Sequence, residues 1–584
     1  MRRLPCVFSH VRILLLALLV ALAPAGRAAA AARAPAEGRD GMVVTGQADA
    51  ARAGHEILAR GGNAVDAAIA VSFALGVTDP YHSGIGGGGF ILVRLASGEV
   101  VAVDARETAP AAADRDMFVG GDVAEDASRV GPLAVAVPGL VAGAALALER
   151  YGTMSLAEVL EPAIRLADEG FAIGPRHARA AGYWVQRGLH ERFPETAAIQ
   201  LPPVGEDIRA GWVLRQPELA GTLRTLAREG PKAFYEGEIA AAIVAEMERR
   251  GGLVTADDLA GYTPLLRTPI RGRYRGYDVI SFPPPSSGGI ALVEILNILS
   301  GFDLAQMGAG SSASVHRAAE AMKLAFADRA TWLGDSDFVF VPIHGLTSPA
   351  YADRLRSHIN PPWWRKAPWY WGRERAIRVL PPAPAAEDGG TMHLSVTDAA
   401  GNAVAITQTI NLLYGSGITV RGTGIVLNDE MDDFSVATNE PNAFGLVDTR
   451  GANAVAPGKR PLSSMTPTIV ERDGRVFMVS GSPGGPRIIT TTLLTLLNVI
   501  DWGMNVQEAV AAPRFHHQWV PDQLLVEHAF PADVIDALRA RGHVVKVSDR
   551  DWSSAQSIVI DPETGVHYGG TDPRTDGAAL GYTK

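Results

Sequence analysis

Residues 64 to 76, AVDAAIAVSFALG, are apolar at nearly every position and predict an Ala-rich helix. The Gly-Gly-Asn before it starts the helix and Gly76 stops it. GIGGGG (84–89) follows, then FILVRL, a turn ASGE, and VVAVDARE; the two apolar runs read as a hairpin. In the second run the period of two puts Asp104 and Arg106 on one face. Helical patterns dominate from about 138 to 265, and PPPSSGGIALVEILNIL (283–299) opens a further helix. From Thr391 the pattern alternates strictly: Thr391, His393, Ser395 and Thr397 face one way, Met392, Leu394 and Val396 the other. AAGN makes a turn and AVAITQTI alternates again. In a hairpin centred near Ala400, opposed residue numbers sum to about 800, so Thr391 lies across from Thr409 on the same face. Asn411 stands one step further along that face.

Composition narrows what such a chain does. Arg2, Arg3 and Arg12, the apolar run Ile13 to Ala23 and the Ala-rich stretch around Ala28 to Ala32 make a secretory signal peptide, with a boundary near residue 34. The run is too short to span a bilayer of about 30 Å, although an uncleaved anchor is the alternative. The expected location is the periplasm or the outside. Cys6 is the only cysteine and precedes this run, so the mature chain has no disulfide, no Cys ligand and no Cys nucleophile. Removing the five arginines of residues 1–34 takes the formal charge from −10 to −15, which disfavours nucleic acid as a partner. With no clear repeat and no long polar linker, one large α/β unit or two interleaved parts is expected. Residues 360 to 379 combine Trp363, Trp364, Trp369 and Trp371 with five basic residues and one acid, and suit either a packed surface loop or an envelope contact. PPAPAAEDGG (381–390) then reads as a mobile linker ending at Thr391.

The candidate chemistry centres on that threonine. A hydroxyl is a poor nucleophile without a base beside it. Cutting the Gly390–Thr391 bond creates one, because a terminal amine titrates near 8 and suits proton abstraction at neutral to mildly alkaline pH. An ordinary strand threonine is the alternative. GIGGGG is no dinucleotide fingerprint, since it follows a helix and opens a strand; close backbone packing or an anion nest remains. Asp104 and Arg106 suit either a carboxylate-reading site or a plain salt bridge. There is no G-x-S-x-G elbow and no HExxH spacing, and the adjacent His516 and His517 suit few metal geometries.

From Gly41 to Gly581 the chain resembles the γ-glutamyltransferases of the N-terminal-nucleophile hydrolases, through ordered blocks. They are GGNAVDAAIA (61–70), SGIGGGGF (83–90), DARETAP (104–110), PPPSSGG (283–289), GTMHLSVTD (390–398), GNAVAITQTIN (401–411), NDEMDDFS (428–435), GKRPLSSMTPTIV (458–470), GSPGGPRI (481–488) and DPRTDGAALGY (572–582). The resemblance implies an α+β fold, a four-layer αββα sandwich. It implies a precursor cut before Thr391 into a large subunit (35–390) and a small one (391–584) of 194 residues, both within one unit. Thr391 would be the nucleophile for self-cleavage and for γ-glutamyl transfer, and Thr409 would hold its new amine. Arg106 would bind the α-carboxylate with Ser463 and Ser464 assisting; Asn411, Glu430 and Asp433 would bind the α-ammonium. Gly484 and Gly485 would supply N–H groups to the oxyanion. The implied substrates are glutathione and related γ-glutamyl compounds, with water, amino acids or dipeptides as acceptors. No cofactor, no metal and no stable membrane span are expected.

Two positions depart from the family pattern. Met392 stands where a small residue is usual, which suggests slower processing. Phe444 stands where many members carry a lid tyrosine, which suggests a looser lid and a shift toward water as acceptor. The nearest rival is a related acylase for glutaryl amides, disfavoured because a glutaryl group lacks the ammonium that the acids read. An unprocessed envelope binding protein is the rival of another class.

Overall fold

A computed structural model describes residues 33–120, 123–203, 205–359 and 390–584. The predicted signal sequence, the Trp-rich segment and the linker up to residue 389 therefore lie outside the described residues. The hairpin centred near Ala400 is the middle of the structure. Strand Gly390–Asp398 pairs antiparallel with Ala403–Asn411, and Thr391 lies opposite Thr409, Leu394 opposite Ile406 and Thr397 opposite Ala403. The predicted register holds, with an irregularity only between Gly390 and Thr391, where Gly390 pairs with Asn411. Strands Gly41–Thr45 and Gly88–Arg94 flank the hairpin, and Ala578–Tyr582, Val100–Ala105 and Leu265–Arg267 complete a seven-stranded sheet. A second seven-stranded sheet runs in the order Ala36–Gly38, His567–Thr571, Gln556–Ile560, Arg475–Ser480, Thr468–Arg472, Tyr277–Ser281, Ile270–Tyr274. Both sheets take strands from before and after residue 390.

Burial on both faces of each sheet produces the layers. Between the sheets, Met42, Val44, Phe90, Leu92, Phe282 and Ile469 form one core, with the Phe90 and Phe282 rings stacked at 4.1 Å. The outer face of the first sheet, with Ile91, Val93, Leu394 and Val396, packs on helices Ala48–Ala59, Ala64–Thr78, Leu140–Tyr151 and Leu156–Glu169. The outer face of the second, with Val470 and Met478, packs on Gly288–Leu299, Ser312–Trp332 and Arg487–Ile500. The fold is the αββα sandwich that the resemblance implies.

The polar stripe of the first hairpin strand is buried rather than solvated. His393 Nδ1 lies 2.8 Å from Thr407 Oγ1, Ser395 Oγ donates to the Gln556 carbonyl at 2.9 Å, and Thr397 Oγ1 lies 2.8 Å from His567 Nδ1. These bonds satisfy polar groups that would otherwise be costly between two sheets, and the Ser395 and Thr397 contacts pin one sheet to the other. Burial pushes the His393 pKa down to about 3, so that ring stays neutral.

The helix read over 64–76 runs on to Thr78, so Gly76 does not stop it. Gly76 serves a close approach instead: a Cβ there would lie 3.2 Å from Gly84 Cα. The helix ends at Asp79, where Pro80 disfavours helical backbone for the residue before it. Its start is as predicted, with Asn63 and Asp66 forming a reciprocal cap. The GIGGGG run is close packing: a Cβ at Gly86 would lie 2.1 Å from the Val426 carbonyl, and one at Gly87 2.0 Å from that of Thr409. The glycines let this segment back directly onto the strand that carries Thr409.

Candidate active site

Thr391 sits at the mouth of its strand, 5% exposed, with Thr409 opposite at 3%. Their hydroxyl oxygens are 3.2 Å apart. Thr409 Oγ1 donates to the Gly390 carbonyl at 2.5 Å and accepts from the Asn411 N–H at 2.8 Å. Its own proton being spent on Gly390, Thr409 accepts from Thr391 rather than donating to it. One hydroxyl thus touches both the candidate nucleophile and the carbonyl of the bond preceding it. Asn411 has a left-handed backbone (φ 78°), and its amide donates to the Asp429 carbonyl at 3.0 Å. Asp429 Oδ1 in turn accepts from the Leu412 N–H at 2.8 Å. Met392 is buried in the helix-side core, on the other face of the strand from Thr391.

Arg106 lies at the end of strand Val100–Ala105 and is fully buried. Its guanidinium bonds to Glu430 and to Asp433, Glu107 Oε2 lies 3.6 Å away, and Nε donates to the Pro461 carbonyl at 3.2 Å. The same-face pair is therefore not an ion pair. Asp104 Oδ1 accepts the Arg106 backbone N–H at 3.0 Å, while Oδ2 takes Arg267 Nε at 2.8 Å. Burial works against the Arg106 cation, but Glu430, Asp433 and Glu107 together hold its pKa above the ordinary value. Burial pushes Glu430 well up and Glu107 up to about 7, with Arg106 opposing both. Charge in this cleft is thus set by how its acids are protonated and paired.

Ser463 and Ser464 follow Pro461 and are buried. The PPPSSGG segment holds them in place. Ser463 N–H donates to the Pro285 carbonyl at 2.9 Å, and the Ser287 N–H and hydroxyl donate to the Ser463 carbonyl at 2.8 and 2.7 Å. Gly484 and Gly485 both have positive φ, 125° and 56°, and lead into helix Arg487–Ile500. Only glycine adopts such a pair cheaply, and a helix start is where free N–H groups and the positive end of the dipole stabilise negative charge. A Cβ on Gly484 would lie 2.1 Å from Ser553 Oγ, and one on Gly485 would lie 2.8 Å from Phe444 Cδ1. Phe444, 4% exposed, therefore lies over the glycine turn.

The structure brings together, through shared contacts, residues drawn from before and after residue 390. It also adds partners that sequence reasoning missed. Glu107 was visible inside DARETAP but had no signal for its place beside Arg106; Gly88 makes room for it, since a Cβ there would lie 2.4 Å from Glu107 Oε2. Arg329 donates to Ser287 Oγ at 3.1 Å, and burial lowers its pKa to about 10 against the pull of Asp433 and Asp448. His516 is no ligand here: it lies 2.9 Å from Gln518 Oε1, and the Gln518 amide donates to the Phe444 and Gly445 carbonyls at 3.0 and 3.2 Å. His316, Glu320 and His543 assemble into a buried group of ligand-like spacing, but the Lys323 ammonium is 3.1 Å from the Glu320 carboxylate. Ser287 and Arg329, and Gln518 and Phe444, lie 42 and 74 residues apart, so no motif announced those contacts.

Known proteins carry the same plan. A family model described as gamma-glutamyltranspeptidase matches residues 50–582. A glutathione hydrolase proenzyme of Escherichia coli (strain K12) is 46% identical over 94% of this chain and 93% of its own length. An acylase ACY 1 proenzyme of Pseudomonas sp. (strain SE83) is 40% identical over 94% of both chains. The crystal structure of a cephalosporin acylase from Bacillus halodurans superposes with a TM-score of 0.81 at 32% identity, covering 96% of this chain and 99% of that one. With its sandwich, its threonine pair and a match along nearly its whole length, this chain belongs to the γ-glutamyltranspeptidase family.

Proposed function

We propose that this protein is a self-cleaving γ-glutamyltransferase that takes the γ-glutamyl group from glutathione and related compounds and passes it to water, amino acids or peptides. The observation that carries this reading is the hydroxyl pair: Thr409 donates to the Gly390 carbonyl while lying 3.2 Å from Thr391 Oγ1. In the uncut chain Thr391 Oγ1 attacks the Gly390 carbonyl carbon, Thr409 stabilises the charge on its oxygen, and the Gly390–Thr391 C–N bond breaks as the nitrogen takes a proton. Water hydrolyses the resulting ester, leaving a Gly390 carboxylate and a Thr391 α-amine. That amine becomes the general base.

In turnover, the amine takes the Thr391 hydroxyl proton as Oγ1 attacks the donor's γ-carbonyl. The N–H groups of the Gly484–Gly485 turn receive the oxyanion. The leaving amine departs protonated, and water or an acceptor amine resolves the γ-glutamyl ester. The glutamyl head enters the Arg106 cluster by exchanging partners: its carboxylate replaces the acids on Arg106 with Ser463 and Ser464 assisting, and its ammonium takes Asn411, Glu430 and Asp433. A zwitterion adds no net charge to a dry cleft, and for that reason the cluster favours it over a glutaryl group. The subunits, 35–390 and 391–584, stay joined because each sheet contains strands of both. No helix among the described residues is long and apolar enough to cross a membrane, which suits an exported enzyme freed of residues 1–34.

Intact-mass analysis of purified protein, with glutamate release from glutathione, tests the reading. Two fragments parting before Thr391, activity on glutathione, and a preference for γ-glutamyl over glutaryl anilides are expected. A single uncut chain, or equal rates on the two anilides, refutes it.

A further inference from the structure

The residue over the oxyanion turn is held in place by groups that no step of the reaction yet uses. Phe444 lays its ring against Gly485, while its carbonyl and that of Gly445 accept from the Gln518 side-chain amide at 3.0 and 3.2 Å. The N–H groups of the same loop are fixed as well. Ala443 donates to Asp432 Oδ2 at 3.2 Å, and Phe444 and Leu446 both donate to Asn442 Oδ1 at 3.1 Å. Among the described residues, Asp432 and Gln518 are the two side chains outside loop 442–446 that hydrogen-bond to it.

The protons of this anchor follow from its partners. Carbonyl oxygens only accept, so the Gln518 NH2 faces Phe444 and Gly445, and Oε1 faces His516 Nε2 at 2.9 Å. An amide oxygen also only accepts, so Nε2 carries the His516 proton. Burial pushes the pKa of that ring down to about 3, so it holds this single proton, and Nδ1 accepts from Thr490 Oγ1 at 2.9 Å. Thr490 lies three residues into helix Arg487–Ile500, which starts directly behind Gly484 and Gly485. The contacts thus close a ring: glycine turn, helix start, Thr490, His516, Gln518, Phe444, and back onto Gly485. Thr490, His516, Gln518 and Phe444 are all buried, so water competes poorly for these bonds. The anchor grips main-chain carbonyls, and it therefore works without the side-chain hydroxyl that Phe444 lacks.

We infer that Gln518 is a positioning residue for the transfer reaction: it keeps the Phe444 ring on the Gly484–Gly485 turn and so sets how often an acceptor amine, rather than water, resolves the acyl-enzyme. It touches no substrate and acts through Phe444. The inference rests on the γ-glutamyltransferase reading, and no new bond chemistry is involved.

The test gives the processed enzyme γ-glutamyl 4-nitroanilide with glycylglycine. Nitroaniline reports all acyl-enzyme formed, and free glutamate the part taken by water. The transfer-to-hydrolysis ratio partitions one intermediate, so a variant that merely folds less well lowers both products and leaves the ratio unmoved. Gln518→Met keeps the length of the side chain but not its donor. Each lost hydrogen bond shifts the loop toward opening by about fivefold, so the ratio should fall by about 5- to 25-fold. In a Phe444→Ala background the same substitution should move the ratio by less than about twofold, because the group it positions is gone. Gln518→Glu tests the same contact should Gln518→Met not fold. Its carboxyl donates to one carbonyl while protonated and repels both once ionised, so its ratio relative to wild type should fall as pH rises from about 5.5 to 9. A ratio within about twofold of wild type in every folded variant, or an equal fall in the Phe444→Ala background, overturns the inference. So does a wild-type enzyme that cleaves the anilide without forming the glycylglycine product. No nitroaniline release from wild type means that the γ-glutamyltransferase reading itself is wrong, and the inference falls with it.

Discussion

Thr409→Val isolates the contact on which self-cleavage depends. Valine keeps the β-branched shape at the strand position but removes the proton given to the Gly390 carbonyl and the oxygen that accepts from Asn411 N–H and from Thr391. Two effects follow, and they are measured separately. The first is kinetic. Loss of one donor to a developing oxyanion costs about 2.7–4 kcal/mol, so cleavage should slow by about 100- to 1000-fold. The second is thermodynamic. The Asn411 N–H is left buried without an acceptor, which destabilises the fold by about 1–3 kcal/mol. Cleavage is followed by intact mass of the purified precursor over time, as the 194-residue C-terminal piece appears, and stability by urea denaturation. Thr409→Ser, which retains the hydroxyl, should cleave within about tenfold of wild type, since it loses only a methyl group of about 0.8 kcal/mol burial. A folded Thr409→Val precursor that splits within about threefold of the wild-type rate would show that Thr409 does not polarise the bond.

Four further outcomes are expected. Arg106→Lys keeps the charge but loses the fork that spans two partners, and should lower kcat/KM for γ-glutamyl 4-nitroanilide by roughly tenfold to a hundredfold; unchanged kinetics would remove Arg106 from the head-group site. Gly484→Ala places a side chain at φ 125° against Ser553 Oγ, and should lower kcat about 100-fold or more by displacing the oxyanion turn, read as donor cleavage by protein already shown to be processed. Glu107 has a folded pKa near 7, above its usual 4.5, so its contribution to stability is full below about pH 4.5 and is lost as pH rises through 7; Glu107→Gln should flatten the fall in unfolding free energy between pH 5 and 8, by at most about 3 kcal/mol. Phe444→Tyr restores a hydroxyl to the residue over Gly485 and should raise the transfer-to-hydrolysis ratio with glycylglycine, by no more than about tenfold for one hydrogen bond; a lower ratio would mean residue 444 does not gate water.

What the sequence determined by itself is local and periodic. Alternation from Thr391 to Asn411, with a turn at AAGN, set the hairpin register and placed Thr391 opposite Thr409, because a strand's side-chain period of two leaves one register that keeps Leu394 and Val396 with the helices. The start of helix Ala64–Thr78 was likewise written in Asn63 and Asp66, three residues apart. Its end was not: Gly76 reads as a stop but lies against Gly84, a contact made only once the chain has folded back. The ordered motifs announced a family but not how their charges meet. Arg106 and Asp104 share a strand face, yet Arg106 bonds to Glu430 and Asp433, more than three hundred residues on, and Asp104 to Arg267. Arg176 and Arg179 occupy an ordinary-looking helix, and only the packing of that helix beside residues 412–415 and Gly484 puts them on the wall of one cleft. Backbone hydrogen bonding and side-chain period act over a few residues and so are legible in order; ion pairs and clefts depend on which layers the buried apolar surfaces bring together, and that is decided by the whole chain at once.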